Sequence, residues 1–302
     1  MVAPYARLLR RLEPIRPDMT PIDDPWTAVL QPQSSRFDFR LGELWRYRDL
    51  VGLLVRRDFV ASYKQTILGP IWFLIQPLVT TLTFVVIFGK IAAIPTDGQP
   101  PVLFYMLGTV VWNYFASCFV QTSNTFVANA NLFGKVYFPR LVVPCATVLS
   151  NLLTLAIQFT QFVIIALLFS SADTRPSPNF AWLAALPLLI LLMAGLGLGL
   201  GLTISSLTTR YRDLQYVVAF GTPLLMYTTP VIFPLSTVPE RFRWIVVANP
   251  MTPIVETFRY ACLGSGNVSI GHLGYAATAT LLFLAVGIAF FNRTERNFMD
   301  TV

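Results

Sequence analysis

The glycine-rich run Gly195-Leu-Gly-Leu-Gly-Leu-Gly201 comes closest to suggesting nucleotide chemistry, and its spacing argues against that use. A dinucleotide fingerprint needs GxGxxG at a strand-to-helix turn, whereas this run alternates glycine and leucine inside an apolar block. It does hold two overlapping GxxxG patterns, Gly195 with Gly199 and Gly197 with Gly201, the signature of closely packed membrane helices. A P-loop needs Gly-Lys followed by Ser or Thr, but Lys64, Lys90 and Lys135 are followed by Gln, Ile and Val. The chain therefore has no ATPase site of its own. His272 is the sole histidine, and Cys118, Cys145 and Cys262 are far apart with no CxxC pair. No metal centre is expected, and the cysteines read as small buried hydrophobes. No catalytic residue is assigned.

Carboxylates narrow the choice further. Asp58, Asp97, Asp173, Asp213, Glu240, Glu256 and Glu295 all lie outside the apolar blocks of the chain. A carrier coupled to protons or sodium needs an ionisable residue or a dedicated ion site near the bilayer midplane, which disfavours a secondary transporter. A membrane-embedded transferase would need clustered acids or histidines, and the same census disfavours it. If transport is driven, the motor is another polypeptide.

These absences sit on a frame set by composition. Of 302 residues, 55% are hydrophobic and 12% charged, against about a quarter charged in soluble domains. The apolar residues gather into six blocks at about 71–91, 103–126, 141–169, 182–207, 214–233 and 273–291. Each is close to the ~20 residues that cross a hydrocarbon core about 30 Å thick. The expected fold is an all-α membrane protein with six transmembrane helices. Pro223 and Pro230 should kink or break the fifth. Phe104, Tyr105, Trp112 and Tyr114 suit an interfacial aromatic belt at the start of the second.

The rest of the chain divides by composition. Residues 1–36 are Pro-rich and read as a flexible cytoplasmic tail, with no cleavable signal peptide expected. In 37–68, Leu41, Leu44, Trp45, Val51, Leu54, Val55 and Phe59 recur at helical spacing among arginines, the pattern of an amphipathic interface helix. Residues 234–271, divided by Pro239, Pro250 and Pro253, are too polar to cross and too apolar for a plain loop, so a re-entrant or interfacial external hairpin is expected between spans five and six.

Eleven basic residues precede the first span, from Arg7 to Lys64, and no nucleic-acid-binding module accompanies the net charge of +7. Seventeen Lys and Arg fall on the proposed cytoplasmic segments and five on the opposite ones, so the positive-inside rule places both termini in the cytoplasm.

Four segments, in order, resemble the type-two ABC exporter permeases for O-antigen, teichoic acid and capsular polysaccharide. They are Ser62-Tyr-Lys-Gln-Thr-Ile-Leu-Gly-Pro-Ile-Trp72 with Gln76-Pro77-Leu78; Asn131-Leu-Phe-Gly-Lys-Val-Tyr-Phe-Pro-Arg140; Arg212-Asp213 followed by Thr229-Pro-Val-Ile-Phe-Pro234; and Asn249-Pro250 with Arg259. The Pro-rich N-terminal extension is longer than the family pattern.

The resemblance implies a homodimer of this chain in the cytoplasmic membrane with two nucleotide-binding ATPase subunits, which would hold the ATP and Mg, and a lipid-linked polysaccharide as substrate. It implies that residues 129–138 dock on the ATPase, with Asn131, Leu132, Phe133 and Phe138 in the contact and Lys135 as its charge. Trp244, Asn249, Pro250 and Arg259 fall in the external gate hairpin. A sugar polymer needs a hydrated path whose aromatic faces stack without holding, and Trp72, Phe73, Phe84, Phe88, Tyr216, Phe220 and Tyr227 are the candidates to line it. An ABC permease for a drug or another small lipid uses the same frame and is the alternative.

Overall fold

The computed structural model describes residues 41–135, 138–169 and 177–299, and the fold is given for these. The 1–36 tail and the turn around Arg175 lie outside the described residues. All regular structure among the described residues is helical.

Five helices are long and apolar enough to cross a membrane. The first, Gly69–Ile91, joins a 3₁₀ turn (Gly69–Ile71), helix α3 (Trp72–Phe84) and a π-helical stretch (Val85–Ile91). Pro77 inside α3 removes one backbone donor, the one that would reach the Phe73 carbonyl. The others are α4 (Pro101–Ser123), α7 (Val142–Phe169), α9 (Leu186–Thr208) and α13 (Ile270–Met299). Ahead of α3 come α1 (Leu41–Arg46) and α2 (Arg48–Tyr63), and two single-turn helices, α5 (Thr125–Ala128) and α6 (Ala130–Phe133), separate α4 from α7.

Two expected blocks are trimmed. The fourth begins at Leu186, with Pro187 in its first turn, and a separate turn α8 (Phe180–Leu183) lies before it. The fifth, expected to reach residue 233, stops as α10 (Leu214–Tyr227). Its 14 residues cover about 21 Å at ~1.5 Å each, short of a ~30 Å core. The physical cause is Pro230: the chain turns through Thr228–Val231, where the Val231 amide donates to the Thr229 carbonyl at 2.6 Å. Helices α11 (Glu240–Ala248) and α12 (Met251–Leu263) then fold back before α13.

Helix α4 is the centre of the bundle, packed by α3, α7, α9, α10 and α12. Its Phe104, Tyr105, Trp112 and Tyr114 are buried in the main hydrophobic core, so they form no interfacial belt. Hydropathy could not separate these outcomes, because an aromatic ring is equally at home against lipid and against another helix.

The glycine run of α9 divides its work between two neighbours. A Cβ on Gly195 or Gly199 would strike Thr280, Phe283 and Leu284 of α13, while one on Gly197 or Gly201 would strike Cys118, Phe119 and Thr122 of α4. Residues four apart share a face and residues two apart point to nearly opposite ones. The two interleaved GxxxG patterns thus let α9 lie against α4 on one side and α13 on the other, with Gly287 of α13 pressed on the Gly199 carbonyl. Outward, α7 exposes Ile164, Leu167 and Leu168, and α13 exposes Leu281 and Leu282. Lipid or another subunit can solvate such faces; water cannot.

Candidate functional site

Two polar assemblies sit at opposite ends of the bundle. At one end, α12 carries Arg259, whose side chain is only 1% exposed and pairs with Glu256 at 2.8 Å. The guanidinium also donates to the Pro230 carbonyl at 2.7 Å and lies over the Phe104 ring, 3.9 Å from its centroid. The second Glu256 oxygen accepts the Asn267 amide at 3.0 Å. A buried charge is tolerable only when so paired.

The break in α10 frees carbonyls at residues that no helix can satisfy, and Arg259 satisfies them from α12. Asn249 adds a second tie, its side-chain amide donating to the Thr229 hydroxyl at 2.8 Å while its Oδ1 accepts the Met251 amide at 3.0 Å. Pro250 leads directly into α12. Tyr275 of α13 donates to the Ala248 carbonyl at 2.7 Å, and Ser236 to Asp97 at 2.7 Å. Gly108 allows α4 to approach, since a Cβ there would lie 2.8 Å from the Val231 carbonyl oxygen. The hairpin is therefore stitched to the bundle from four directions, with Trp244 of α11 left exposed.

Of the expected gate residues, Arg259, Asn249 and Pro250 are brought together at the α10 break and Trp244 is not. Sequence reasoning missed Glu256, counted only as an acid outside the spans; its i,i+3 spacing from Arg259 in an apolar helix was the available signal. The six apolar blocks lack carboxylates, but the packed bundle does not.

At the other end, Phe126, Phe133, Phe138 and Phe291 form a cluster with Leu54, Leu141 and Leu202. Phe126 stacks on Phe291 at 4.5 Å. Arg140 lies over Phe133 at 5.4 Å and donates from its backbone and side chain to Glu295, both at 3.4 Å. The segment between α4 and α7 is thus fixed to the end of α13. Phe133 and Phe138 point into this chain's own core, Leu132 is half-buried, and Asn131 and Lys135 face outward. Phe133→Ala should lower stability by about 3 kcal/mol, seen as a lower unfolding midpoint in detergent, because a buried ring is deleted. Asn131→Ala should leave that midpoint unchanged.

The aromatic candidates separate by exposure. Tyr216, Phe220 and Tyr227 lie exposed along α10, and Trp72 is exposed at the start of α3. Phe73 stacks on Phe59 at 5.4 Å. Phe84 is buried between Phe88 and Tyr105, and so packs within the protomer.

Residues 49–263 match the ABC-2 type transporter family. This chain belongs to that family. The match opens in α2, takes in the segment between α4 and α7, and closes at the end of α12, so it contains Asn249, Glu256 and Arg259 and the Phe133 and Arg140 side of the second assembly, while Phe291 and Glu295 of α13 lie beyond it. Among ABC-2 relatives, the O-antigen export system permease protein RfbA of Klebsiella pneumoniae is 28% identical over 269 residues, covering 88% of this chain and 99% of that protein. RfbA of Myxococcus xanthus is 27% identical over 72% of this chain and 81% of its own length. The polysialic acid transport protein KpsM of Escherichia coli is 25% identical over 81% of this chain and 93% of its own. ABC-2 chains are transporter membrane subunits, and the five apolar spanning helices fit a multi-pass protein.

Proposed function

We propose that this chain is the permease subunit of an ATP-driven exporter that moves a lipid-linked polysaccharide, O-antigen-like or capsular, out of the cytoplasm. The observation that carries this reading is the alignment over 99% of an O-antigen export permease. Relatives named for O-antigen and polysialic acid favour polysaccharide over a drug. Two copies of the chain work with two ATPase subunits, which hold the ATP and Mg. The chain crosses the cytoplasmic membrane six times, with α10 and the turn after it as the fifth crossing and both termini in the cytoplasm; Lys135, Arg210, Arg212 and Arg293 support that orientation. Helices α1 and α2 rest at the cytoplasmic interface.

The exposed aromatic face of α10, Tyr216, Phe220 and Tyr227, lines the polymer path opposite its copy in the dimer. The α11–α12 hairpin is the external lid over that path, held shut by Arg259 and Asn249. ATPase strokes enter through the exposed Asn131 and Lys135, and the Phe133–Phe138 anchor passes them to α13.

In cells lacking this chain, undelivered polymer should accumulate at the inner face, and the wild-type chain should restore surface polymer. The double variant Asn131→Ala, Lys135→Ala should insert normally yet lower export and stimulated ATPase activity by about tenfold, the scale of a lost interface hot spot. Unchanged export by that variant would reject the coupling assignment. Ion-gradient-driven uptake by the purified chain alone would reject the function.

A further inference from the structure

A groove between α7 and the α1–α2 pair, at the end of the bundle where the loop cluster lies, has a volume of about 730 Å³ and is lined by Trp45, Arg48, Gly52, Val55, Leu149 and Leu153 among others. Its α7 wall runs from Cys145 to Leu153. The eight helical steps between them make about 12 Å at ~1.5 Å each, most of the ~15 Å depth of one hydrocarbon leaflet. On the α2 wall, Gly52 leaves the groove open, because a Cβ there would meet nothing within 4 Å. Arg48 lies 5.6 Å over the Trp45 ring. Its acidic neighbour, Asp49, stands 3.9 Å away with both side chains largely exposed. So long and wet a pair contributes little and leaves guanidinium donors for a second anion.

Other lateral grooves differ in one respect. That between α3 and α7, at Leu74, Gln161 and Ile164, and that at Phe159, Leu167 and Cys262 carry no charged side chain. Bilayer chains fill those without preference for a headgroup. The groove between α7 and the α1–α2 pair joins an apolar wall of acyl length to a cation and an indole ring, the two groups that favour phosphate and headgroup depth.

We propose that this groove is a discrete site for one anionic glycerophospholipid per protomer, its phosphate on Arg48, its headgroup region beside Trp45 and an acyl chain along Leu149 and Leu153. One guanidinium, held only loosely by Asp49, offsets a singly charged phosphodiester. A diphosphate carrier lipid brings more negative charge than this rim offsets, and a chain longer than its wall. Occupancy depends on the fold and not on export, so the site can fail while the transport reading stands.

Native mass spectrometry of the full-length protein, released from nanodiscs of equal phosphatidylglycerol and phosphatidylethanolamine, tests this. One phosphatidylglycerol should remain on each wild-type protomer. Arg48→Ala should reduce the preference for phosphatidylglycerol by about fivefold, the worth of one cation near an anionic surface. Gly52→Leu and Gly52→Trp, which fill the groove, should release the lipid, while Gly274→Trp, equally open on α13, should retain it. Equal retention by the Gly52 variants and wild type would overturn the proposal, as would no headgroup preference in the wild type. Displacement by an equimolar polyprenyl diphosphate would also overturn it, by assigning the groove to a carrier lipid.

Discussion

Arg259→Met is expected to destabilise the protein by about 3–5 kcal/mol, the cost of removing one partner from a buried ion pair. The variant strands Glu256, whose side chain is 2% exposed, and leaves the Pro230 carbonyl without its donor at 2.7 Å. It also removes the cation from the Phe104 face. The unfolding midpoint of the detergent-purified protein reads the loss. Because the cost is mainly the orphaned charge, Glu256→Gln combined with Arg259→Met should recover much of it, a coupling that separate contributions would not show. A single variant with near-wild-type stability would mean that water reaches Arg259, and the clamp would then not exist. In the transport setting proposed above, the single variant should also loosen the lid, since Arg259 is what joins α12 to the broken end of α10.

Gly199→Val is expected to prevent accumulation of folded protein, and Gly199→Ala to cost about 2–3 kcal/mol, the upper range for overpacking. A Cβ on Gly199 would lie 2.6 Å from the Leu284 nitrogen and the Phe283 carbonyl carbon. Those are backbone atoms of a long helix and cannot swing aside. Gly197→Ala meets the Cys118 Cβ at 2.9 Å and the backbone of Phe115 and Phe119 at 3.3 Å, and should cost less because these contacts are longer than the 2.6 Å ones at Gly199. Gly274→Ala is the control: it opens onto free space and should be neutral or stabilising by up to about 1 kcal/mol, the helix-propensity gain over glycine. Size-exclusion profiles after heating rank the four variants. Equal profiles for Gly199→Ala and Gly274→Ala would show that α9 and α13 do not touch through Gly199.

The two assemblies suggest how one end of the chain can inform the other. Helix α13 receives the loop cluster through Phe291 and Glu295 and meets the hairpin through Tyr275. Along its length it is locked to α9 at Gly199 and Gly287. Helix α13 is thus the packed element that touches both the loop cluster at one end and the hairpin at the other.

The sequence by itself determined the solvent, the places of five spanning helices and the short, proline-divided helices that precede α13. It did so because bilayer thickness fixes the length of an apolar run, and because Pro230, Pro239 and Pro250 remove backbone donors wherever they stand. Only the tertiary structure decided which faces meet. It turned Phe104 and Trp112 inward, assigned alternate glycines of α9 to α4 and α13, drew Phe133 and Phe138 into the core and buried Glu256 with Arg259. Inside a membrane, lipid and protein are about equally apolar. Hydropathy therefore says that a residue leaves water without saying what it packs against; that choice belongs to shape and to the few polar groups that must find each other.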